Sequence, residues 1–312
     1  MGYKLVSYRA EARSARAGVL VEDSVYDAAR VTGQPSYAGM LGVLADWSKA
    51  RRLLAQAAKR IRGGQSRAKG TPLKRARLLA PVLYPGTIFC AGANYTDHVA
   101  EMARASNRPP EADPRSLGLK PWHFIKTSRS SIVGPGSAVK LPAYSKMVDW
   151  EIELVAVIGR AAKNVPVERA LECVAGYTIG NDLSARDAMK REGISNTSPF
   201  HYDWISQKCF DGAAPLGPWI VPAGDIPDPQ NLALKLWVND QLMQDSNTAR
   251  MIFSTAEQIA QLSSRVTLHP GDLVFTGTPA GVGAGRRVFL KPGDSIRMRI
   301  EGIGELAHTV AA

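Results

Sequence analysis

Three acidic residues alternate along one short segment of the sequence, residues 149–159 (DWEIELVAVIG). The apolar tail predicts a β-strand, in which side chains alternate between faces, so Asp149, Glu151 and Glu153 would share one face. Carboxylates on a buried strand repel one another and lose their hydration unless a cation lies between them. The pattern therefore favours a metal site, with a solvent-facing acidic edge strand as the alternative.

A further acidic residue, Asp182, follows about 30 residues later in residues 176–187 (GYTIGNDLSARD), where a second predicted strand ends. No Cys or His lies near these carboxylates in the sequence, so they favour a hard cation such as Mg²⁺ or Mn²⁺, with water completing the octahedron. Ser184 is predicted to cap a following helix, with Asp187 as its capping-box partner and hence a structural residue.

A histidine and a glutamate form the second candidate, in residues 92–102 (GANYTDHVAEM). In the predicted helix, His98 and Glu101 are three residues apart and share a face. A carboxylate beside an imidazole raises its basicity, which suits a general base acting on water, although a surface ion pair is the alternative. The polar, proline-rich residues 106–121 that follow are interpreted as a mobile lid.

A glycine-rich loop and three lysine or arginine residues complete the candidate chemistry. Residues 273–283 (LVFTGTPAGVG) predict a strand that enters a loop of the kind whose N–H groups bind anions. The Gly-Lys-Ser/Thr ending of a phosphate loop is absent, so a carboxylate is the expected guest. Lys126, Arg186 and Lys208 would offset the acidic residues and bind a dianionic substrate, or they are surface charges.

The elements that position these side chains divide at residues 63–71 (GGQSRAKGT), the best linker candidate. Residues 1–75 predict a small β-rich domain with a helix over 39–61, and residues 81–312 predict short strands that end in Pro-Gly turns. Of the 312 residues, 45% are hydrophobic and 21% charged, which excludes disorder throughout. The longest apolar run has five residues against the ~18 that a membrane-spanning helix needs.

The net charge of +11 raises the question of a nucleic-acid partner, because residues 51–77 hold ten Lys or Arg and no acidic residue. No aromatic residues interleave with these charges and no helix-turn-helix pattern follows, so a solvated helix face is preferred and nucleic-acid binding is disfavoured. Cys90, Cys173 and Cys209 are too few and too scattered for a disulfide framework. Buried thiols and a reducing, cytoplasmic compartment are therefore expected.

Six ordered motifs over residues 83–310 resemble the fumarylacetoacetate hydrolase superfamily. The motifs are NYxxHxxE, FxK followed by a GPG turn, DWExELxxVIG, GYxxxNDxSARD, KxFDxxxPLGPWI and GDxxxTGTPxGVG. The resemblance implies an α+β, mostly β fold, with a mixed β-roll or β-sandwich catalytic domain over residues 81–312 and a small N-terminal β-rich extension. It also implies a homodimer.

The resemblance further implies an activity and a set of site residues. The activity is metal-dependent hydrolysis of a C–C bond in an acylpyruvate or another anionic β-diketo acid, with decarboxylation or isomerisation of a 2-oxo acid as the alternative. The metal, Mg²⁺ or Mn²⁺ and less readily Ca²⁺, would bind Glu151, Glu153 and Asp182. The implied catalytic residues are His98, Glu101 and Lys208, and the implied substrate contacts are Tyr95, Lys126, Arg186 and Thr278.

Two departures from the family pattern bear on the substrate. Residues 188–189 read Ala-Met, where many smaller members carry Gln at the second position, so a polar substrate contact is missing. Residues 196–204 (NTSPFHYDW) form an expanded segment that adds His201, Tyr202 and Trp204 near the expected pocket.

Overall fold

The computed structural model describes residues 2–9, 14–109 and 111–311. Its strands in chain order are β1 Lys4–Arg9, β2 Arg16–Val21, β3 Ser24–Asp27, β4 Thr71–Pro72, β5 Arg77–Leu79, β6 Ile88–Ala91, β7 His123–Lys126, β8 Ile132–Val133, β9 Ala138–Lys140, β10 Val148–Asp149, β11 Ile152–Ile158, β12 Val174–Asn181, β13 Ser184–Ala185, β14 Ala214–Pro222, β15 Ala233–Val238, β16 Gln241–Asn247, β17 Leu273–Phe275, β18 Ser295–Ile300 and β19 Gly304–Ala311. The α-helices are α1 Ala28–Thr32, α2 Met40–Ala45, α3 Trp47–Arg62, α4 Thr96–Ala105, α5 Val167–Ala170, α6 Trp204–Lys208, α7 Thr255–Arg265 and α8 Gly283–Arg286. Strand residues outnumber helical residues, at 32% against 26%, which confirms the predicted mostly β, α+β class.

A long sheet runs through the molecule in the order β4-β3-β2-β1-β14-β12-β11-β17-β6-β7. At its centre, β11 pairs antiparallel with both β12 and β17. Every residue of β11 and β12 is buried, and their sequences are correspondingly apolar along their length rather than alternating. These two strands are thus held from both faces and form a rigid base for the acidic residues at their ends.

A second sheet of five strands, in the order β16-β15-β18-β19-β9, packs against the first. One apolar cluster joins Leu154 and Ile179 of the long sheet to Leu234, Met298 and Leu306 of the five-stranded sheet. Sheet-on-sheet packing of this kind is the arrangement of a β-roll or β-sandwich, as the resemblance implied.

The N-terminal strands are continuous with the long sheet. Strand β1 pairs with β14 through Leu5 and Ile220, and a second apolar cluster joins Leu5 and Trp47 to Val155 and Phe275. The boundary between the predicted domains 1–75 and 81–312 therefore does not coincide with a break in packing, and the two-domain division stays a prediction.

The basic segment forms a solvated helix face and a loop. The predicted helix over 39–61 is divided into α2 and α3, and α3 buries Ala50, Leu54 and Ala57 on one side. The side chains of Arg51 and Arg60 are exposed on the other side. This geometry agrees with the solvated-face interpretation of residues 51–77, and the absence of a nucleic-acid partner stays a prediction. None of the described helices is long and apolar enough to cross a membrane.

Two local expectations are wrong. The predicted strand over 149–159 is interrupted at residues 150–151, and its first part, β10, pairs with β13 instead. Ser184 does not cap a helix, because it lies in β13 and its hydroxyl donates to the carbonyl of Asp182. Asp187 still has a structural contact, but with the hydroxyl of Ser145 and the N–H of Lys146.

The segment interpreted as a lid is tied to α7. Arg115 Nη1 and Nη2 donate to the two carboxylate oxygens of Glu257 at 2.7 and 2.8 Å, and Arg115 Nε donates to the carbonyl of Ile252 at 2.8 Å. Bidentate arginine–carboxylate pairs fix orientation as well as distance. Any opening of residues 106–121 would have to break this anchor, and the lid stays a prediction.

We expect Leu5→Ala to lower the free energy of unfolding by about 2–5 kcal/mol, because it leaves a cavity in a fully buried cluster. Since that cluster also contains Val155 of β11, thermal unfolding followed by circular dichroism should remain one transition, shifted as a whole. Two transitions, of which only the first moves, would instead support an N-terminal domain that folds on its own.

Candidate metal centre and active site

The antiparallel pair of β11 and β12 brings the three predicted ligands together. Glu153 lies opposite Gly180, and Ile152 lies opposite Asn181, so Glu151 and Asp182 flank the same end of the pair. All three carboxylates are buried, and one oxygen of each lies within 4.8 Å of the others. Residues 30 positions apart in sequence thus become one acidic cluster, as the sequence predicted.

Glu153 is the least compensated member of this cluster. Its Oε2 accepts from the N–H of Gly277 at 2.7 Å, whereas its Oε1 is buried with no hydrogen-bond partner among the described residues. Burial, together with the charges of Asp182 and Glu151, raises the pKa of Glu153 well above its usual range. Asp182 Oδ1 is likewise buried without a hydrogen-bond partner among the described residues. An oxygen-only donor set with two such oxygens fits a hard divalent cation, and it suits Mg²⁺, Mn²⁺ and Ca²⁺ alike.

Glu151 is held between two positively charged side chains. Arg186 Nη2 contacts Glu151 Oε1, and Lys208 Nζ lies 3.3 Å from Glu151 Oε2. Burial acts to raise the pKa of Glu151, but Lys208 and Arg186 outweigh it and lower the pKa to about 2. Glu151 is therefore ionised at neutral pH and ready to act as a ligand.

Two lysines hold Asp182 from opposite oxygens. Lys208 Nζ lies 2.8 Å from Asp182 Oδ2, and Lys126 Nζ lies 2.8 Å from Asp182 Oδ1. Lys126 Nζ also donates to the carbonyls of Leu183, Lys208 and Ala213. An ammonium has three donors, so those of Lys126 are all used within the protein. Lys126 therefore offsets the charge of Asp182 from 2.8 Å without a hydrogen bond to Oδ1, and its contact with substrate stays a prediction.

Asp149 stands apart from the cluster, contrary to the expectation of three acidic residues on one strand face. Its carboxylate accepts from Arg186 Nε at 2.9 Å and from the N–H groups of Gly283 and Ala284 at 2.6 and 3.0 Å. The break in the strand after β10 turns Asp149 away from Glu151 and towards the glycine-rich loop. Arg186 thus bridges Asp149 and the metal cluster, and its contact with substrate stays a prediction.

The glycine-rich loop binds the site's own carboxylates. The N–H of Gly277 donates to Glu153, that of Gly281 donates to Glu101 Oε2 at 2.9 Å, and that of Gly283 donates to Asp149. These N–H groups are therefore not free for a substrate carboxylate, which was the guest expected from the sequence. Gly281 has a φ of +101°, and a Cβ there would lie 2.1 Å from the carbonyl oxygen of Met243, so only glycine fits.

The hydroxyl groups of Thr278 and Tyr95 differ in their surroundings. Thr278 Oγ1 donates to the carbonyl of Ile152 and accepts from Gln244 Nε2, each at 2.9 Å, so it braces β11. Tyr95 is fully buried and its hydroxyl has no hydrogen-bond partner among the described residues. Burial and the charge of Glu153 raise the pKa of Tyr95, which leaves a neutral donor near the cluster. Substrate contacts by Tyr95 and Thr278 stay predictions.

The predicted dyad lies on α4 and faces the acidic cluster. His98 Nδ1 is 3.9 Å from Glu101 Oε2, the same oxygen that accepts from Gly281. Burial acts to raise the pKa of Glu101, but His98 and the Gly281 N–H lower it on balance. The N–H of Gly277, in the same loop as Gly281, donates to Glu153. One loop therefore contacts both the dyad and the acidic cluster, which brings them into one site.

An aromatic cluster borders this site on the side of Lys208. The ring of Phe124 lies 4.7 Å from Lys208 Nζ and stacks on Trp204 at 5.7 Å between centroids, and Trp122 meets Trp204 edge-on at 5.8 Å. Trp204 was among the residues predicted from the sequence, whereas Trp122 and Phe124 were not. Their spacing of two before Lys126 was the available signal, because side chains two residues apart in an extended chain point to the same side.

Comparison with known proteins agrees with this geometry. Residues 87–311 match the family described as fumarylacetoacetate (FAA) hydrolase C-terminal. The chain belongs to this family. That match confirms the resemblance drawn from the six motifs, and it covers every residue of the site.

Relatives within the family carry different activities in their names. The chain is 41% identical over 241 residues to the mitochondrial oxaloacetate tautomerase Fahd2a of Rattus norvegicus, covering 77% of this chain and 71% of the relative. It is 29% identical to a maleylpyruvate hydrolase from Sphingobium sp. SYK-6 solved with manganese(II) and pyruvate, with a TM-score of 0.74 and coverage of 99% and 98%. A 2-hydroxyhepta-2,4-diene-1,7-dioate isomerase from Mycobacterium marinum aligns at 30% identity, a TM-score of 0.71 and coverage of 99% and 98%.

The buried acidic cluster predicts that a divalent metal stabilises the fold. At a Mn²⁺ concentration 100-fold above the dissociation constant, mass action should raise the free energy of unfolding of the wild type by about 2.7 kcal/mol. Glu153→Gln should abolish most of that increase while the metal-free variant stays folded, because Glu153 is the member of the cluster without a lysine or arginine partner among the described residues. Thermal melts with and without Mn²⁺ measure this effect.

A matched control is Glu172→Gln, which removes an exposed carboxylate paired with Arg169. That variant should respond to Mn²⁺ as the wild type does. Equal stabilisation of Glu153→Gln and wild type would show that the acidic cluster is not the metal site.

Proposed function

We propose that this protein is a divalent-metal-dependent enzyme that interconverts the keto and enol forms of an oxaloacetate-like 2-oxo acid. The proposal is carried by one observation: a buried carboxylate cluster, with carboxylate oxygens that lack hydrogen-bond partners among the described residues, lies in the same site as a histidine–glutamate dyad. The identity of 41% to an oxaloacetate tautomerase supports this choice of reaction.

Glu151, Glu153 and Asp182 would hold the metal. When bound, the dication would polarise the substrate's carbonyl oxygens and favour the enolate form. Lys208, whose ammonium already bridges two of these carboxylates, would steady negative charge that develops on the substrate.

His98 would move the proton. In the keto-to-enol direction the imidazole takes a proton from the substrate carbon between the two carbonyl groups and returns it to the carbonyl oxygen. Glu101 would stabilise the imidazolium formed in between, since its lowered pKa keeps it ionised. In the present geometry His98 Nδ1 and Glu101 Oε2 are 3.9 Å apart, a distance that catalytic pairs commonly shorten when substrate binds.

C–C bond hydrolysis is the second candidate, and it was the leading expectation from the sequence. Its support is the likeness to a maleylpyruvate hydrolase over 99% of this chain. The same dyad would then deprotonate water for attack on a carbonyl, and the dication held by the cluster, together with Lys208, would stabilise the leaving enolate. The two candidates share the site and differ in whether water is a reactant.

Product analysis separates the two reactions. The purified enzyme with Mg²⁺ or Mn²⁺ is given oxaloacetate and a panel of acylpyruvates, and the products are followed by ¹H and ¹³C NMR. Tautomerisation speeds the exchange between keto and enol signals without new compounds, hydrolysis yields two acids, and decarboxylation releases carbon dioxide. Faster exchange with oxaloacetate supports the proposal, and two acids as the only products would overturn it in favour of hydrolysis.

We expect His98→Ala to lower kcat by roughly 10²–10⁴, the usual contribution of a positioned general base, without changing the affinity for Mn²⁺. Glu101→Gln should have a smaller effect on kcat. Stopped-flow kinetics and a Mn²⁺ titration of the same preparations test both statements. An active His98→Ala enzyme would require another base.

A homodimer, an anionic keto-acid substrate and a cytoplasmic location stay predictions for this protein. Size-exclusion chromatography with light scattering tests the first of them directly.

A further inference from the structure

The backbone next to the predicted metal ligand Glu151 lies in a break between two strands. Between β10 and β11, residues 150–151 leave the ladder, yet the peptide groups of Glu151 and Ile152 are buried. Buried peptide groups need hydrogen-bond partners. Here the N–H groups of Glu151 and Ile152 both donate to side-chain amide oxygens, those of Asn181 and Gln244.

Gln244 holds the Ile152 N–H. Gln244 Oε1 accepts from it at 3.0 Å, while Gln244 Nε2 donates to Thr278 Oγ1 at 2.9 Å and to the carbonyl of Pro279 at 2.8 Å. Both ends of this amide have partners that allow only one orientation, because a peptide N–H can only donate and a carbonyl can only accept.

Asn181 holds the N–H of Glu151. Asn181 Oδ1 accepts from it at 2.9 Å, and the next residue, Asp182, donates its own N–H to the carbonyl of Glu151 at 2.9 Å. The backbone N–H and carbonyl of Glu151 are thus hydrogen-bonded to the side chain of Asn181 and to the backbone of Asp182. A flip of the Asn181 amide would exchange Oδ1 and Nδ2, so that Nδ2–H would face the N–H of Glu151 and the hydrogen bond would be lost.

A buried histidine closes this arrangement. His308 Nε2 lies 2.9 Å from Asn181 Nδ2, and His308 is only 2% exposed. Since the Glu151 N–H fixes Oδ1 as the acceptor, Asn181 Nδ2 must be a donor, and His308 Nε2 must accept. The imidazole is therefore neutral, with its proton on Nδ1. Burial lowers the pKa of His308 to about 4, which agrees with a neutral ring.

We propose that His308 is a positioning residue for the metal centre, which locks the Asn181 amide through its unprotonated Nε2 and so fixes the backbone of Glu151. His308 touches neither the ligands' carboxylates nor the dyad through any hydrogen bond of the described residues. His308 is linked to the backbone of Glu151 through Asn181, and such outer partners of metal ligands commonly orient the ligands. The inference rests on the proposed function only in taking the acidic cluster as a metal site.

Two substitutions at His308 distinguish the effect of the hydrogen-bond acceptor from the effect of side-chain volume. His308→Gln keeps an acceptor oxygen within reach of Asn181, and His308→Leu keeps the volume but removes the acceptor. The affinity of the metal-free protein for Mn²⁺ is measured by isothermal titration calorimetry. We expect His308→Leu to bind roughly 10- to 100-fold more weakly and His308→Gln to stay within about threefold of wild type.

Val310→Ala is the matched control, because Val310 is buried two residues along β19 on the same face as His308. It should lower the melting temperature and leave the Mn²⁺ affinity unchanged. Wild-type affinity in a folded His308→Leu variant would overturn the proposal. So would an equal loss in His308→Gln and His308→Leu, since the acceptor would then not matter.

A spectroscopic test needs no destabilising variant. In protein with ¹⁵N-labelled histidine, the imidazole whose signals vanish in His308→Gln is assigned to His308, and in the wild type it should be the neutral Nδ1–H tautomer. An imidazolium or an Nε2–H tautomer for His308 near neutral pH would overturn the proposal. If the wild type fails to bind Mn²⁺, the metal-dependent function fails, and the tautomer still decides the role of His308 towards Asn181.

Discussion

Mutual repulsion among three buried carboxylates is the constraint on which the rest of the site depends. Glu151, Glu153 and Asp182 lie within 4.8 Å of one another at the end of a strand pair that is buried on both faces. Such a cluster cannot persist without counter charge, because burial removes the water that would otherwise screen it. Each further polar feature of the site supplies part of that compensation or keeps the carboxylates in register.

The compensation is divided by residue. Asp182 has Lys126 and Lys208, and Glu151 has Arg186 and Lys208, whereas the one partner of Glu153 among the described residues is a backbone N–H of the glycine-rich loop. Within the described part of the chain, one oxygen of Glu153 and one of Asp182 have no hydrogen-bond partner, and these oxygens are the reason for proposing a dication here. The loop is bound in turn by Glu101 and Asp149, so the dyad and the cluster share a scaffold of loop N–H groups.

This arrangement is suited to enolate chemistry more than to one particular reaction. Under the proposed function, the proton that His98 moves would come from the substrate in tautomerisation and from water in hydrolysis. Phe124 and Trp204 lie next to Lys208 and form an apolar surface, which a distal substrate group would meet under the proposed function. The different activities named among the family's relatives fit a common centre with different surroundings.

The sequence by itself determined the family, the mostly β class and the acidic cluster, because these are written in residue types and local spacing. Alternating acidic residues before an apolar strand and a strand ending in Asn-Asp were enough to predict an acidic metal site. The alternation also included Asp149, and the ligand set of Glu151, Glu153 and Asp182 came from the resemblance to the family. The pair of His98 and Glu101 followed from helical periodicity alone.

Only the tertiary structure determined which charged and polar side chains contact one another. Asp149 has the same local pattern as Glu151, but a strand break turns it to the loop, and the partner that holds it lies 134 residues away at Gly283. The sequence shows Lys126 as an isolated positive charge, whereas in the structure three backbone carbonyls accept hydrogen bonds from its ammonium group. The contact between Asn181 and His308 spans 127 residues. Hydrogen bonds between distant segments leave no periodicity in a single sequence, because their spacing is set by the path of the chain through the two sheets.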